Sequence, residues 1–509
     1  MPRIPLTAGA YQSRSVIAGA QRCINLFPES NPEDANPPVP ITHYPTPGIT
    51  AKVQCPDYSV VRGLYRASNG ELYAVCGASV YFIDSSFGLH PLGSIASGTT
   101  PVSMKDNGLC LLLVDGSATG YVIDISSGAH SFSTILDPNF LGGLKVDYID
   151  TYFILNQPGT RNFYISLSEI NYTMATTAVA GSAFNALDIV GKSGGSDPIS
   201  TLACVHREAW IVGTLTSEVW VDQGTPDFPL GELPGTFVEH GCVAPYSMAT
   251  HDVIPFWLSQ DKDGRGIVVR GDGYSAKRIS THVIEEYIAG YATISDAIGF
   301  CYQVLGHVFY VLTFPTADVT WVYEVGTGQW HEWAFLDANG ALHRHRANCA
   351  TQAYNFNLVG DWQNGIIYAV DTQNFTDNGN PILRLRSFPH VLNDGKRLSY
   401  ASFIADIQVG QIPGQLSSVP SSSFNNDVSN DFGGNSLVLP KIFLRWSDTR
   451  GASWGEKVTQ TLGSTGQYYS SIKWSRLGMA RDRVFELSWS EPIDTALNGA
   501  FIDVVQAAS

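Results

Sequence analysis

Residues 186–193 hold a glycine, a lysine and a serine at the spacing of a nucleotide-binding phosphate loop. The chemistry of that loop needs a glycine-rich turn whose free N–H groups surround phosphates at the start of a helix. Here the sequence Asp-Ile-Val at 188–190 occupies the turn, and Gly-Gly-Ser-Asp-Pro at 194–198 follows where a helix should begin. We therefore predict neither a nucleotide site nor any other cofactor site.

A second motif, Asp-Lys-Asp-Gly-Arg-Gly at residues 261–266, resembles part of a calcium-binding loop. It lacks the third oxygen ligand and the terminal glutamate that complete such a loop. An Asp-Gly pair is also typical of a hairpin tip. We predict a tight turn at this segment, and no metal ligands in the chain.

Residues 447–454, Ser-Asp-Thr-Arg-Gly-Ala-Ser-Trp, are similar to the Asp-box turn of sialidases and other propellers, with one extra residue between Asp448 and Gly451. We predict that this turn staples a hairpin, and it keeps a glycan-degrading alternative open. Glycoside hydrolysis needs two carboxylates that flank a sugar bond, or a Tyr–Glu pair. The adjacent Glu285 and Glu286 would point about 100° apart on a helix, so we predict an exposed helix face instead of a catalytic pair.

The one local basic cluster is His-Arg-His-Arg at residues 343–346. Alternating basic residues fit a strand face balanced by neighbouring carboxylates, whereas a contact with DNA or with an acidic neighbouring subunit is the functional alternative. Twelve histidines among many serines make chance pairings unavoidable, and no Ser-His-Asp or Cys-His set stands out. We therefore predict no catalytic residues and no enzymatic activity.

The charge balance argues against tight nucleic-acid binding. Thirty Lys and Arg residues against 46 Asp and Glu give a formal net charge of −16, whereas phosphate contacts need clustered Lys and Arg. An acidic channel wall would let a duplex slide past without binding it, although most acidic surfaces serve solubility alone.

Charged residues form only 15% of the chain, against about 25% in an average protein. Such a value fits either a β-rich composition or surfaces that other subunits cover.

Neither a secretion signal nor a membrane span is predicted. Residues 1–15 hold no apolar run, and the longest aliphatic stretch, residues 109–114, has six residues, against about 20 for a membrane-spanning helix. The eight cysteines form no Cys-x-x-Cys pair and no zinc set. We expect all eight to be reduced and buried, in a protein made in a host cytoplasm. They are Cys23, Cys55, Cys76, Cys110, Cys204, Cys242, Cys301 and Cys349.

The elements that would position these residues are strands. Runs of four to eight residues rich in Val, Ile, Tyr, Phe and Trp recur between Gly, Asn, Asp and Ser, as in hairpins. They recur roughly every 40 to 60 residues, close to the blade period of β-propellers. We predict an all-β fold with a β-propeller of six or seven blades, and one short helix within residues 280–290 that Thr281 caps.

Two segments fall outside the repeating pattern. Residues 1–50 are rich in proline, which offers no N–H to a sheet ladder, so we predict an extended N-terminal arm. Residues 412–437 are rich in serine and asparagine, which indicates a flexible exposed loop. The propeller would then span residues 51–385, and a C-terminal β domain that carries the loop would span residues 386–509.

Short motifs along almost the whole chain are similar, in the same order, to those of a known family. They are the segments at residues 22–29, 44–49, 218–220, 239–242, 256–259, 278–285, 320–323, 329–333, 444–448, 474–478 and 480–485. The ordered set resembles the packaged-DNA-stabilisation, or head-to-tail closure, family of short-tailed double-stranded DNA phages, whose members form the tail hub or nozzle.

The resemblance implies a structural virion protein that extends and closes the portal and adaptor channel at the head-to-tail junction of the phage tail and retains packaged DNA. It implies a homo-hexamer that binds the portal–adaptor ring and docks a tail needle, tailspike or tail fibre protein, with double-stranded DNA nearby but not specifically bound. It implies no catalysis. Two alternatives stay open: a glycan-binding or glycan-degrading phage tail propeller, and a secreted carbohydrate-binding propeller, which the cysteine pattern and the missing signal peptide disfavour.

Overall fold

A computed structural model describes residues 4–6, 15, 19–31, 40–226, 228–409, 440–463 and 471–506. The chain divides into two compact units. The propeller unit comprises Ile49–Gly328 and His343–Asp371, and the sandwich unit comprises Met1–Gly48, Gln329–Leu342 and Thr372–Ser509. The sequence led us to expect divisions at residues 50 and 385, and the predicted flexible loop at residues 412–437 lies outside the described residues.

The propeller unit consists of seven antiparallel blades, which confirms the predicted all-β propeller and sets the blade number at the larger of the two expected values. The strand nearest the axis is called a, and strands b, c and d follow outward. Blades 1 to 4 comprise Val61–Arg66, Leu72–Cys76, Ser79–Ile83 and Leu89–Ser94; Ser103–Asp106, Cys110–Val114, Gly120–Asp124 and Phe132–Thr134; Val146–Ile149, Tyr152–Asn156, Asn162–Ile165 and Ile189–Gly191; and Ile199–Val205, Glu208–Gly213, Ser217–Asp222 and Leu230–Glu232.

Blades 5 to 7 complete the ring. They comprise Ala249–His251, Ile254–Gln260, Gly266–Asp272 and Ser275–Arg278; Ile298–Val304, His307–Phe314 and Val319–Glu324; and Ala347–Ala353, Phe356–Asp361, Ile366–Asp371 and Gly48–Gln54. Strand d of blade 7 therefore comes from the segment that precedes blade 1. Strand a of blade 7 contacts strand a of blade 1, so the two ends of the propeller sequence meet in one closed ring.

The apolar strands of the sequence are the middle strands of blades. Strand b of blade 2, Cys110–Val114, is buried along its whole length because it is covered on both faces. Leu111 and Leu113 pack into the core shared with blade 1, and Cys110, Leu112 and Val114 pack into the core shared with blade 3. Successive side chains of a strand point to opposite faces, so a strand with a blade on either side needs apolar residues at every position.

The hairpins that join strands a and b turn through left-handed backbone. His206 and Arg207 have φ angles of 55° and 62°, and Leu305 and Gly306 have φ angles of 50° and 84°. Two successive residues with positive φ form the tight turn whose twist matches that of paired strands. Glycine, asparagine and aspartate adopt this conformation most readily, so a leucine at this position is locally unfavourable.

The sandwich unit contains two sheets around one apolar core. The first has Leu26–Ser30, Ile41–Pro45, Thr495–Gln506, Leu398–Val409 and Ser471–Ser475 in spatial order, with Ile4–Pro5 and Met479–Ala480 at its sides. The second has Gln329–Glu332, Cys23–Ile24, Arg384–Ser387, Asp482–Trp489, Lys441–Ser447 and Val458–Thr461 in spatial order, with Val391–Leu392 beside Asp482–Trp489. Buried residues of both sheets, including Phe403, Trp474 and Phe485, form the core.

The proline-rich arm contributes strands to the sandwich unit. Leu26–Ser30 and Ile41–Pro45 pair with each other as a hairpin, and His43 lies opposite Leu497 of the strand Thr495–Gln506. The predicted extended segment is therefore part of a sheet where the structure describes it. The remaining short strands are Ala334–Leu336, Leu342–Arg344, Thr376–Asp377 and Asn380–Pro381.

Helices are short in the described residues. Tyr172–Ala175 and His282–Ala289 are α-helical, and Pro245–Ser247 is a 3₁₀ turn. The Thr281 side chain accepts a hydrogen bond from the Ile284 N–H, so the predicted cap and helix are confirmed. None of the described helices has the length and apolar character needed to cross a bilayer.

The expectation that all eight cysteines are reduced and buried is wrong in two respects. Cys55 and Cys76 are joined by a disulfide within the propeller unit. Cys76 ends strand b of blade 1, and Cys55 follows strand d of blade 7. The two residues meet because those blades are neighbours in the closed ring, a proximity that the sequence spacing does not reveal. The other six cysteines are free, as expected, but Cys204, Cys301 and Cys349 are only partly buried.

Candidate functional site

The segment that resembles a phosphate loop already binds an anion of the protein. Its Ser193 and Gly194 N–H groups donate to the Glu218 carboxylate at 3.0 and 2.8 Å. The amine of Lys192 donates to Asp197 at 2.5 Å and to the Thr216 hydroxyl at 2.6 Å. No helix follows: residues 192–198 form neither helix nor strand, and the next element is the strand Ile199–Val205. The groups that would contact phosphates therefore tie blades 3 and 4 together.

The electrostatics of this cluster favour the ion pair. Burial alone would raise the pKa of Asp197, but hydrogen bonds from Lys192 and Thr216 outweigh it and lower that pKa to about 2. The Lys192 side chain has no solvent-accessible surface. A buried charge of this kind is tolerated only with a partner, because desolvation of an unpaired ion is unfavourable by several kcal/mol.

The calcium-like segment is a hairpin turn, as predicted. Asp261 accepts hydrogen bonds from the Asp263 and Arg265 N–H groups at 2.9 and 2.8 Å, and Gly264 has a φ angle of 79°. The carboxylate is therefore engaged by the turn that connects strands b and c of blade 5. Across the residues that the structure describes, no three or more His, Cys, Asp and Glu side chains group closely enough to hold a metal ion.

The predicted exposed helix face holds for only one of the two glutamates. Glu286 is exposed, but Glu285 is buried. Both carboxylate oxygens of Glu285 accept hydrogen bonds from Arg278, and the Ser280 hydroxyl donates to the same carboxylate at 2.7 Å. The prediction is wrong for Glu285 because a basic partner from strand d of blade 5 compensates its burial.

The Asp-box-like segment staples a hairpin, but with other side chains than the usual ones. The Ser447 hydroxyl accepts a hydrogen bond from the Gly451 N–H at 2.8 Å, and the Thr449 hydroxyl accepts one from the Ser453 N–H at 2.8 Å. The hairpin joins Lys441–Ser447 to Val458–Thr461. Asp448 instead binds a buried arginine, Arg483. This geometry matches the interpretation as a structural turn.

The basic cluster at residues 343–346 is balanced by neighbours, as the first interpretation held. The His343 imidazole lies 2.7 Å from Asp318, and Arg346 donates to Asp361 at 3.2 Å. The Arg344 guanidinium lies 4.0 Å from the ring centroid of Trp362. His345 is buried, and burial together with Arg346 lowers its pKa to about 3. Each of the four basic side chains is thus engaged by, or buried among, neighbouring residues at the start of blade 7.

Several residues of the motifs that carry the family resemblance form hydrogen bonds within or between these motifs. Within the sandwich unit, Arg22 of the first motif makes two hydrogen bonds to Glu332 of another, at 3.1 and 2.8 Å. Within the propeller unit, the Trp257 indole donates to Gly241 O at 3.0 Å, and the Trp220 indole donates to Glu218 at 2.9 Å. These motif residues therefore act as structural ties within each unit.

Two exposed apolar residues occupy strained positions that sequence reasoning missed. Tyr58 is 66% exposed and has a φ angle of 53°, and Leu305 is 74% exposed and has a φ angle of 50°. Left-handed backbone is unfavourable by roughly 1–2 kcal/mol for residues with a β carbon. A large apolar side chain that is both strained and exposed violates local folding preferences, which is expected mainly at functional sites.

These two residues lie on opposite faces of the propeller. Leu305 is at the tip of an a–b hairpin, and Tyr58 is in the connection from strand d of blade 7 to strand a of blade 1. In antiparallel blades the a–b and c–d turns share one face, and the b–c and d–a connections share the other. Val253, at another a–b hairpin tip, is 46% exposed on the Leu305 face. We call this face, with Leu305 and Val253, the hairpin-tip face.

The match to a family model agrees with this architecture. Residues 2–374 match the family model described as bacteriophage P22 Gp10, β-propeller. No curated protein matches the sequence.

Among solved structures, the chain is similar to the WD40 propeller domain of Doa1, with 12% identity, a TM-score of 0.38, and 63% of this chain and 96% of that one covered. It is also similar to BamB from Moraxella catarrhalis, with 11% identity, a TM-score of 0.38 and coverages of 72% and 100%. A third similar structure is the Neurospora crassa Pan2 WD40 domain, with 9% identity, a TM-score of 0.39, and 64% of this chain and 96% of that one covered.

Proposed function

Because the chain belongs to the phage stabilisation family of bacteriophage P22 Gp10, and is thus a structural phage protein of the virion, we propose that it closes and extends the portal and adaptor channel at the head-to-tail junction. In this role it retains packaged DNA and docks tail components. The family match over residues 2–374 is the observation that carries the proposal. The protein acts by geometry: rings of subunits set the width of a channel that DNA traverses.

The surface chemistry supports a protein that other subunits cover. Charged residues form only 15% of the chain, and charged residues are depleted at the centres of protein interfaces. The strained, exposed Leu305 and Tyr58 lie on opposite faces of the propeller. A closed ring of six copies is a heterologous assembly, in which two different surfaces of each subunit bury against neighbours. We propose a homo-hexamer in which the hairpin-tip face provides one of these surfaces.

The charge of the chain supports retention of DNA without gripping it. A formal net charge of −16 repels phosphates, and within residues 343–346 His343 and Arg346 are paired with Asp318 and Asp361, while Arg344 stacks on Trp362. A negatively charged channel wall leaves the duplex free to move along the channel at ejection. Retention then comes from closure by the tail components docked beneath the ring.

The test is assembly on a template. The purified chain is measured by native mass spectrometry and negative-stain microscopy, alone and after mixing with portal–adaptor rings. We expect a monomer that becomes a ring of six copies only on the rings, and DNA-filled heads that lose DNA when the protein is omitted. A chain that stays monomeric with the rings, and whose omission leaves DNA retained, contradicts the proposal. Turnover or binding of host-surface glycans by that chain would instead support the glycan alternative.

A further inference from the structure

Residues of the inner strands of the propeller unit line an open pocket of about 210 Å³, which we call the axial cavity. Its walls come from strand a of blades 1, 2, 6 and 7, together with residues that precede blades 3 and 5. Strands this far apart in sequence meet only around the axis of the ring, so the cavity is axial. Its polar lining includes Arg62, Ser103, Lys145, Tyr246 and Asn348.

The cavity holds a lysine that the protein does not neutralise. The Lys145 ammonium lies 5.2 Å from the ring centroid of Tyr246. Within the described residues it makes no hydrogen bond or ion pair, since only the Lys145 backbone N–H has a partner, Asn156. The carboxylate that acts on its charge, Asp147, already binds Lys105 at 2.7 Å.

A second cation lines the same cavity. The Arg62 side chain donates from Nε to Thr100 O at 2.7 Å and from Nη1 to Gly77 O and Ala96 O, both at 2.9 Å. Its Nη2 has no acceptor among the described residues. No aspartate or glutamate of those residues lines the cavity. In a chain with a net charge of −16, this pocket is lined by two cations, and the carboxylate that acts on Arg62, Asp115, lies outside the lining.

Burial makes the positive charges of Lys145 and Arg62 unfavourable as long as no anion is bound. Burial lowers the pKa of Lys145, although Cys242 and Asp147 oppose the effect, and burial lowers the pKa of Arg62, although Asp115 and Tyr246 oppose it. An anion in the cavity would offset that desolvation, because charge-assisted hydrogen bonds are about twice as strong as neutral ones. The other polar side chains are engaged: Ser103 exchanges hydrogen bonds with Val146, and Asn348 donates to Val61 O.

The size of the cavity restricts the anion. A volume of about 210 Å³ accommodates a tetrahedral oxyanion with some water but excludes a nucleic-acid duplex. The unused donors are the Lys145 ammonium, Arg62 Nη2 and the Tyr246 hydroxyl, which has no partner among the described residues. We propose that the axial cavity of the propeller is a binding site for a small oxyanion of the phosphate class, held by Lys145, Arg62 and Tyr246. This site is independent of ring docking.

The experiment uses the full chain and inorganic phosphate. Isothermal titration at constant ionic strength, with chloride as the balancing anion, is expected to show saturable binding of one phosphate, with sulfate competing. Lys145→Met is expected to weaken binding at least tenfold, and Tyr246→Phe several-fold. Lys277→Met removes one charge from an exposed position on strand d of blade 5 and is expected to leave the affinity unchanged.

A second measurement keeps the proposal testable if Lys145→Met does not fold. Lysines are ¹³C-methylated on the wild-type protein, and NMR follows each methyl signal as phosphate is added. We expect one signal, assigned to Lys145, to shift and its pKa to rise as the anion binds. Phosphate binding that Lys145→Met and Lys277→Met reduce equally, a methyl signal of Lys145 that phosphate does not move, or no binding at all would overturn the proposal.

Discussion

The Asp448 carboxylate accepts two hydrogen bonds from the Arg483 guanidinium, at 2.6 Å from Nε and 2.8 Å from Nη2. The two partners differ in burial, because the Arg483 side chain is 3% exposed and that of Asp448 is 47% exposed. The guanidinium also lies 4.5 Å from the ring centroid of Tyr400 and donates to Leu477 O. Arg483 is thus the centre of a buried cluster, and Asp448 covers it from the solvent side.

This asymmetry predicts unequal effects of substitution on the sandwich unit. Arg483→Met removes a buried cation that several groups hold, and we expect it to destabilise the unit by about 3 kcal/mol. Asp448→Asn keeps an oxygen acceptor for the Arg483 guanidinium at a position that solvent reaches, so we expect a smaller loss of about 1 kcal/mol. Native-state hydrogen exchange of the strands Leu398–Val409 and Asp482–Trp489 measures both. Arg481→Met, at an exposed neighbouring position, is the control and should be neutral. Equal losses for Arg483→Met and Asp448→Asn would contradict the arrangement.

A second prediction concerns Lys192 in the segment that resembles a phosphate loop. Lys192→Met leaves the Asp197 carboxylate without its buried partner, so we expect about 3 kcal/mol of destabilisation in blades 3 and 4. Thermal unfolding and hydrogen exchange would show this destabilisation, and Lys262→Met, at an exposed turn, is the matched control.

Mg-ATP is expected to leave the unfolding midpoint of the wild-type chain unchanged. A rise in that midpoint with Mg-ATP, abolished by Lys192→Met, would show that the nucleotide interpretation was rejected wrongly.

A third prediction is a pH dependence that His345 contributes. Its Nδ1 accepts a hydrogen bond from the Ala347 N–H at 3.1 Å, so the folded state needs the neutral ring, and the pKa is lowered to about 3. Between that value and the ordinary pKa of about 6.5, the unfolded state binds more protons than the folded state. Stability from this group is therefore complete above pH 6.5 and falls by about 1.4 kcal/mol for each pH unit below it.

The measurement compares urea unfolding of the propeller unit between pH 5 and pH 8. His345→Asn keeps an acceptor for the Ala347 N–H and removes the titrating ring, so the loss of stability below pH 6.5 should become shallower by about 1.4 kcal/mol per unit. His206→Asn, at an exposed hairpin tip with a φ angle of 55°, should leave the slope as it is in the wild type. An unchanged slope in His345→Asn would contradict the burial of a neutral imidazole.

The sequence predicted local structure well, since that structure depends on neighbouring residues. The hairpins, the Asp261 turn and the Thr281 cap follow from residues within a few positions of one another. The burial of Glu285 could not be predicted in this way. In the sequence, Glu285 and Glu286 together indicate an exposed helix face, and only the structure places Arg278 beside the Glu285 carboxylate. A bidentate partner seven residues away, on a strand before the helix, is a contact that helical spacing alone does not indicate.

Features of ring closure were also beyond the sequence. The Cys55–Cys76 disulfide and the axial cavity with Arg62 and Lys145 each depend on which strands become neighbours around the propeller axis. Weak similarity between blades gave their approximate number but not the strand that completes blade 7, Gly48–Gln54. Long-range pairing decides these contacts, so patterns within a window of ten or twenty residues carry no signal for them.

The last prediction separates folding from assembly at the hairpin-tip face. Leu305 is exposed in left-handed backbone beside Gly306, where asparagine is favoured. Leu305→Asn should therefore stabilise the isolated chain by about 1 kcal/mol, because it relieves the backbone strain and removes an apolar group from solvent.

If the hairpin-tip face docks in a ring, as we propose, the same change should weaken assembly on portal–adaptor rings at least tenfold. Leu215→Asn, which is 55% exposed on the opposite face, should leave assembly unchanged. A variant that is more stable and assembles as the wild type does would show that Leu305 has no part in docking. The strain at its position would then need another explanation.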